Sequence, residues 1–312
     1  MQNVCSVSRR VMSSRQAATV SAATDCVERW AGVRATTVPQ IPIYYINLAA
    51  QPERREFMEE QFDRLRLKAE RIEAVVPAQI SPPDQELYCN PRRRFWLTMP
   101  ELACSLSHVK ALQALVASGA EYGAVFEDDA ILSERMTSFL DGLSSAIDCD
   151  LLKLETFHER LLLSTSGFTV EGVTLRRAYS PPAGSAGYVI SKSAAAMVAT
   201  SREIRVTQSD CALFNPHHPL GRRMSILHAD PGLCIQRHRL HAESTSGDSM
   251  IDAARLTRST MEDRHRLSRK FRRLADRAAA AGWQRPRERL AEKRGATWMS
   301  IPFAGRSAQA PV

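Results

Sequence analysis

No stretch of this 312-residue chain approaches about 18 uninterrupted apolar residues, so no helix is expected to cross a membrane. The first residues lack the roughly 7–15-residue apolar segment of a secretory signal. The 7 cysteines, at positions 5, 26, 89, 104, 149, 211 and 234, are scattered, odd in number and free of any Cys-x-x-Cys pair. That pattern argues against a disulfide framework or a zinc site and for reduced thiols, most of them packed as small hydrophobes. Together these absences predict a cytoplasmic protein. There is also no G-x-G-x-x-G turn, no Walker loop and no internal repeat, so any bound phosphate has to be held in another way.

Excess positive charge is missing from most of the chain, although the total is +8. From Ile251 to Val312 there are 15 Lys and Arg against 6 Asp and Glu, whereas the first 250 residues hold 27 against 28. A near-neutral body speaks against a nucleic-acid partner, as does the lack of aromatic residues interleaved with basic ones. In the tail, Leu267, Phe271, Leu274 and Ala278 line one helical face, with Arg266, Arg269, Lys270, Arg272, Arg273 and Arg277 around the rest. Such a helix suits an anionic membrane surface, each cation contributing about 1 kcal/mol near the headgroups. It suits equally a solvated helix packed by that stripe on its own domain. Residues 1–40, rich in Ser, Ala, Thr and Arg with little apolar periodicity, read as a disordered N-terminal extension. The expected organisation is this extension, a domain over 41–250 and an Arg-rich helical tail over 251–312.

Order begins at Ile41-Pro-Ile-Tyr-Tyr-Ile-Asn-Leu48, a strand with Pro at its start. Pro52 opens a helix whose Met58, Phe62 and Leu65 fall at i, i+4 and i+7. Arg71-Ile-Glu-Ala-Val-Val76 reads as the next strand, and 77–97, turn-rich and basic, as a loop. Thr98 and Glu101 form a capping box that starts a helix to about Ala117. A strand at 122–126, a helix near 133–147, strands at 150–155 and 187–190, and a helix capped by Ser191 follow. This alternation predicts an α/β layer fold with a mainly parallel sheet flanked by helices.

Directly after the apolar strand Tyr122-Gly-Ala-Val-Phe126 stand three carboxylates, Glu127, Asp128 and Asp129. Ligands of open α/β sheets bind beyond the carboxyl ends of strands. Like charges gathered there repel one another unless a cation lies between them. Oxygen ligands suit Mg2+ or Mn2+, which complete their shells with substrate phosphates. The competing reading is a solvated strand end leading into a helix N-terminus, where acids are welcome.

Several further segments, taken in order, resemble glycosyltransferase family 25, the lipopolysaccharide-biosynthesis transferases and their relatives. Ile43-Tyr-Tyr-Ile-Asn-Leu48 followed by Pro52-Glu-Arg-Arg55 looks like the family's opening I-N-L-D-x-x-x-x-R-R. Glu101-Leu-Ala-Cys-Ser-Leu-Ser-His108 is similar to its G-E-I-G-C-x-L-S-H, and Tyr122 to Ala130 to its A-L-V-L-E-D-D-V core. Asp150-Leu-Leu-Lys-Leu154, Gly184-Ser-Ala-Gly-Tyr-Val-Ile-Ser191 and Asp210-Cys-Ala-Leu-Phe214 resemble its D-L-I-K-L, G-x-x-A-Y-x-I-S and D-x-x-L-F segments. Gln236 with Ser244-Thr245 is similar to a late Q…S-T pair, so the resemblance spans about residues 41–246.

The resemblance implies a GT-A-like fold and an inverting, metal-assisted hexosyltransferase. It would move galactose or glucose from a nucleotide-diphospho-sugar, UDP-hexose above all, to a lipooligosaccharide or other glycolipid acceptor. Asp129, Asp128 and Glu127 would reach the divalent cation, Mn2+ or Mg2+, with Asp129 as direct ligand because it lies farthest beyond the strand. Asn47, Arg54, Arg55, Ser107 and His108 would bind the donor, and Gln236, Ser244 and Thr245 would serve the acceptor or a late loop. Arg54 and Arg55 also have Glu53, Glu56 and Glu59 as charge partners, and His108 also reads as a satisfied core histidine. Inversion needs a general base on the acceptor hydroxyl. Asp210 is the first candidate and Glu155, at the end of its own strand, the second; each also reads as a structural carboxylate.

The chain departs from the pattern where Ala49 replaces the Asp after I-N-L, where Leu102-Ala103 stands for I-G, and where the usual P-V before Asp210 is absent. Two rival classes follow: a binding protein that keeps the fold without activity, and a nucleic-acid enzyme using the triplet for two-metal chemistry. The expectation is a cytoplasmic glycosyltransferase, peripheral at the inner face of the cytoplasmic membrane through its tail.

Overall fold

The computed structural model describes residues 41–93, 96–143, 149–240, 282 and 284–305. The expected extension at 1–40, the basic stripe at 264–280, and Ser244 and Thr245 lie outside the described residues.

Strand β1 (Ile43–Asn47) leads into α1 (Pro52–Leu65), where Met58, Phe62 and Leu65 form the buried stripe that their spacing predicts. Strand β2 (Ala69–Glu73) begins two residues before the expected one. The 77–97 segment is more than a loop: it holds α2 (Pro82–Tyr88), capped by the Ser81 hydroxyl, which accepts the Asp84 N–H at 3.2 Å. The capping box forms as expected at the start of α3 (Met99–Ser118). Thr98 Oγ1 accepts the Glu101 N–H at 3.3 Å, and Glu101 Oε2 accepts the Thr98 N–H at 2.9 Å.

Next come β3 (Tyr122–Glu127), β4 (Ala130–Leu132), α4 (Met136–Gly142), β5 (Leu151–Lys153), β6 (Arg160–Val170), β7 (Val173–Ala178) and β8 (Gly187–Ser191). Helix α5 (Lys192–Thr200), capped by Ser191, is followed by α6 (Glu203–Val206), α7 (Ser209–Phe214), β9 (Ile226–Asp230), β10 (Cys234–Gln236) and α8 (Arg237–Leu240). A helix over 284–293 and strand β11 (Thr297–Ser300) end the described chain.

Nine strands form one sheet in the order β11-β6-β7-β9-β5-β8-β3-β1-β2, and β10 pairs separately with β4. Only β1–β2, β1–β3 and β5–β9 are parallel. The sheet is therefore mixed and mostly antiparallel, which corrects the expectation of a mainly parallel one. Two features explain the difference. β6 and β7 form a hairpin across Glu171 and Gly172, whose φ values of 46° and 73° match the left-handed pair of a tight hairpin turn. β8 runs antiparallel between β3 and β5, with Val125 opposite Tyr188 and Leu152 opposite Val189. The sheet also reaches into the segment read as a separate tail, because β11 pairs with β6.

The central strands are apolar on both faces because helices cover both. Tyr44, Ile46, Val125, Leu151, Tyr188 and Ile190 point to a cluster with Leu112 and Leu115 of α3 and Val198 of α5. The alternate residues Ile43, Tyr45, Ala124, Phe126, Leu152 and Val189 join Met58 and Phe62 of α1 and Phe139 of α4 on the other face. The two-residue period thus divides one sheet between two cores. No described helix is long and apolar enough to cross a membrane.

Candidate active site

The carboxyl ends of β1, β3 and β5 and the entrance to β8 meet at one end of the sheet. Register places Ile46 beside Glu127, Phe126 beside Gly187, and Lys153 between Tyr188 and His228. Asn47, the acidic triplet and the residues around Gly184 therefore share a neighbourhood, although 137 positions separate the first from the last in the chain.

Each acid of the triplet has a different environment. Glu127 Oε1 accepts from Ser185 Oγ at 2.5 Å and meets His108 Nε2 at 3.1 Å. Burial acts to raise its carboxyl, but the His108 and Ser185 bonds and the charge of Lys153 outweigh that and hold it below the ordinary carboxylate range. Asp128 accepts from Asn47 Nδ2 at 2.8 Å and Arg54 Nη1 at 3.0 Å. Burial still raises its carboxyl against those two partners. Asp129 Oδ1 is buried with no hydrogen-bond partner. Burial, followed by the charge of Glu127, pushes this carboxyl up to about 8, with Asp128 and Glu155 adding to the effect and Arg54 opposing it.

Behind the triplet lies a buried ion pair. Lys153 Nζ donates to Glu155 Oε2 at 2.9 Å and to the Gly184 carbonyl at 2.7 Å, and it sits 4.5 Å from the Phe214 ring centre. Glu155 is 0% exposed and also accepts the Ala186 N–H at 2.9 Å, while its Oε1 is unpartnered. Burial raises this carboxyl to about 7 despite Lys153. Gly184 is required where it stands: its φ is +79°, and a Cβ there would lie 2.6 Å from both Glu155 oxygens and 2.2 Å from Phe157. Its N–H donates to Asp210 Oδ2 at 3.2 Å, and Asp210 Oδ1 accepts the Cys211 N–H at 2.7 Å. Asp210 is only partly buried, so it faces the site in a way Glu155 does not.

The structure brings together Asn47, Arg54, His108, Glu127, Asp128, Asp129, Glu155 and Asp210. It leaves others outside. Arg55 pairs with Glu59 at 2.8 Å on the exposed face of α1. The Ser107 hydroxyl joins α3 to the chain after β2, accepting the Val75 N–H and donating to the Ala103 carbonyl, both at 2.8 Å. His108 is fully buried, its Nδ1 3.0 Å from the Tyr188 hydroxyl and its other nitrogen on Glu127, so it orients the triplet from within. Gln236 pairs with Ala130, immediately after the triplet. Sequence reasoning missed Lys153, Ser185, Tyr188 and the arginines of α8. Ser185 and Tyr188 lie in the G-x-x-A-Y-like segment, which was a signal; Lys153 sits in an apolar strand that reads as core.

Asp129 Oδ1 is where a divalent cation fits best: an orphan carboxylate oxygen among three other acids, all with hard oxygen ligands. Cys104, His108 and Glu127 also bring one ligand atom each within 4.8 Å of one another. That group fits less well, since both His108 nitrogens are engaged and burial pushes the Cys104 thiol up, away from the thiolate a metal needs. A cavity of about 660 Å³ opens at the opposite end of the sheet, beside Gly119, Asp150 and Lys192, and holds none of these residues.

The acidic end of β3 thus faces Glu155 and Asp210, with Lys153 behind them. Residues 40–213 match the profile of glycosyltransferase family 25 (LPS biosynthesis protein), and the chain belongs to that family. It is 26% identical over 223 residues to the lipooligosaccharide biosynthesis protein lic2B of Haemophilus influenzae, covering 68% of this chain and 82% of the relative. It is 28% identical over 228 residues to the lacto-N-neotetraose biosynthesis glycosyltransferase LgtB of Neisseria gonorrhoeae, covering 67% and 80%. A glycosyltransferase 25 family member of Aedes aegypti is 30% identical over 162 residues, 43% of this chain and 26% of that one.

Proposed function

We propose that this protein transfers a hexose, galactose or glucose, from a UDP-sugar to a glycolipid acceptor of lipopolysaccharide or lipooligosaccharide, inverting the anomeric carbon with help from Mn2+ or Mg2+. The observation that carries this reading is the unpartnered Asp129 Oδ1 within the acidic cluster beyond β3. Asp129 would hold the cation directly and Asp128 would do so through water, while Asn47 and Arg54 fix the Asp128 carboxylate. When bound, the cation supplies charge neutralisation for the leaving diphosphate. Glu127 orients the site, its Oε1 fixed by His108 and Ser185.

Asp210 is the base that would take the acceptor hydroxyl proton. The Gly184 and Cys211 N–H groups hold its carboxylate in place, and it is partly open where Glu155 is sealed. Glu155 and Lys153 instead fix the 183–186 segment. A GT-A-like fold suits the β3 terminus, and the Arg-rich segment at 264–280 would place the enzyme on the inner face of the cytoplasmic membrane.

A panel of UDP-hexoses with and without Mn2+, scored for donor hydrolysis and transfer, tests the reading. Turnover should require the metal, and Asp210→Asn should lower kcat by about 100-fold or more while donor affinity stays within a few-fold. Metal-independent turnover, or equal loss of kcat and donor affinity in that variant, refutes the assignment.

A further inference from the structure

Both arginines expected to bind the donor have a carboxylate partner of their own. Arg54 is committed to Asp128 at 3.0 Å, and Arg55 turns to Glu59. Two other arginines stand at the mouth of the site. The β10–β4 ladder sets Gln236 against Ala130, and the Arg237 N–H donates to the Asp129 carbonyl at 2.9 Å. Helix α8 therefore starts against the backbone of the residue that best fits the cation.

From there the two side chains diverge. The Arg237 guanidinium carbon lies 5.1 Å from the ring centre of Phe57, one turn beyond Arg54 on α1. That of Arg239 lies 4.5 Å from the ring centre of Phe157, the ring that packs against Gly184 beside Glu155. One guanidinium thus flanks the site on the α1 side and the other on the Lys153–Glu155 side. Both residues are exposed, and among the described residues no carboxylate pairs with either. At these distances each guanidinium lies within cation–π reach of its ring, which restrains it and leaves N–H groups for an acceptor. A planar fork of that kind matches two phosphate oxygens, in a place where four carboxylates would otherwise repel an anion.

We propose that Arg237 and Arg239 form a two-sided clamp for the diphosphate of the donor and of the nucleoside diphosphate left after transfer. This rests on the reading of the site as a nucleotide-sugar site. Arg54 then acts on Asp128, and α8 replaces the glycine-rich loop that the chain lacks.

Titration calorimetry with UDP, UMP and inorganic pyrophosphate, each in Mn2+, tests the clamp on wild type, Arg237→Ala, Arg239→Ala, the double variant and the corresponding Arg→Lys changes. Each alanine should weaken UDP and pyrophosphate on the order of tenfold, and UMP distinctly less, with lysine restoring part of the loss and melting temperatures unchanged. A double variant that binds UDP and pyrophosphate within about twofold of wild type, or loses UMP and UDP alike, overturns the clamp. Wild type that holds pyrophosphate through these arginines but no nucleoside diphosphate leaves the clamp standing and refutes the nucleotide-sugar reading. Wild type that binds neither overturns both.

Discussion

Replacing Asp129 by Asn should make the metal-free protein more stable while abolishing transfer. Burial and the neighbouring acids raise this carboxyl from 3.8 to about 8 in the fold. The unfolded chain loses its proton near the ordinary value, and the folded protein keeps it. A raised carboxyl therefore leaves stability untouched below about pH 4 and erodes it as pH climbs, by about 1.4 kcal/mol per unit at most, until the folded group ionises near 8. Asn has the same shape and no charge, so it escapes that loss. Solvent reaches part of Asp129, which trims the expected gain to about 2 kcal/mol at pH 8. For a domain of this size that is about 4–8 °C in Tm. Thermal unfolding in a chelator from pH 5 to 9 should show a gap between variant and wild type that widens up to about pH 8 and then levels off. Adding Mn2+ should then raise the wild-type Tm and leave the variant unchanged. A variant no more stable than wild type at pH 8, or a gap indifferent to pH, refutes the assignment of Asp129 as the strained ligand.

Lys153→Met should cost about 3–5 kcal/mol in urea unfolding, because the buried Glu155 carboxyl loses its cation and its Nζ hydrogen bond and must either take up a proton or stand unpaired in the core. Lys153→Met with Glu155→Gln should recover most of that, and a single variant as stable as wild type would show that the pair holds nothing. Reversing Arg266, Arg269, Lys270, Arg272 and Arg273 to Glu should weaken sedimentation with anionic vesicles, and unchanged binding removes this segment as the anchor. Substitution is the right perturbation here, since truncation at 250 would also strip the Thr297–Ser300 strand from the sheet.

Local chemistry was well written in the chain. The Thr98–Glu101 box, the Met58-Phe62-Leu65 stripe and the Ser191 cap depend on neighbours within two helical turns, and all three form as spacing predicts. The acidic triplet was legible as three carboxylates directly after an apolar strand, and the fold places it at the end of that strand. Pairing partners were not legible. The direction of β8 depends on which strands flank it, and an apolar run has no arrow. Strand β11 meets β6 from 134 residues away, with Thr297 opposite Leu163, so nothing in its own four residues announces the pairing. The site divides in the same way. Asp128 and His108 sit in motifs, but the Ser107 hydroxyl beside His108 is taken up by the Val75 N–H and the Ala103 carbonyl. Arg237 and Arg239 become site residues solely because β10 lies on β4, a contact across more than 100 positions.

The reversed course of β8 has a consequence for how the catalytic edge is held. A parallel strand offers the catalytic edge only its exit; a reversed one offers its entrance. The 183–186 segment therefore arrives at the edge before the strand is laid down. Its carbonyls and N–H groups are tethered to Lys153, Glu155 and Asp210. Its far end, Ser191, starts α5 on the opposite rim. Just upstream of 183–186 the Tyr179 N–H donates to the Leu162 carbonyl at 2.9 Å and the Ser180 hydroxyl accepts the Leu162 N–H at 2.8 Å, so the segment is anchored at both ends and the edge takes its position from β6 as well as from β8.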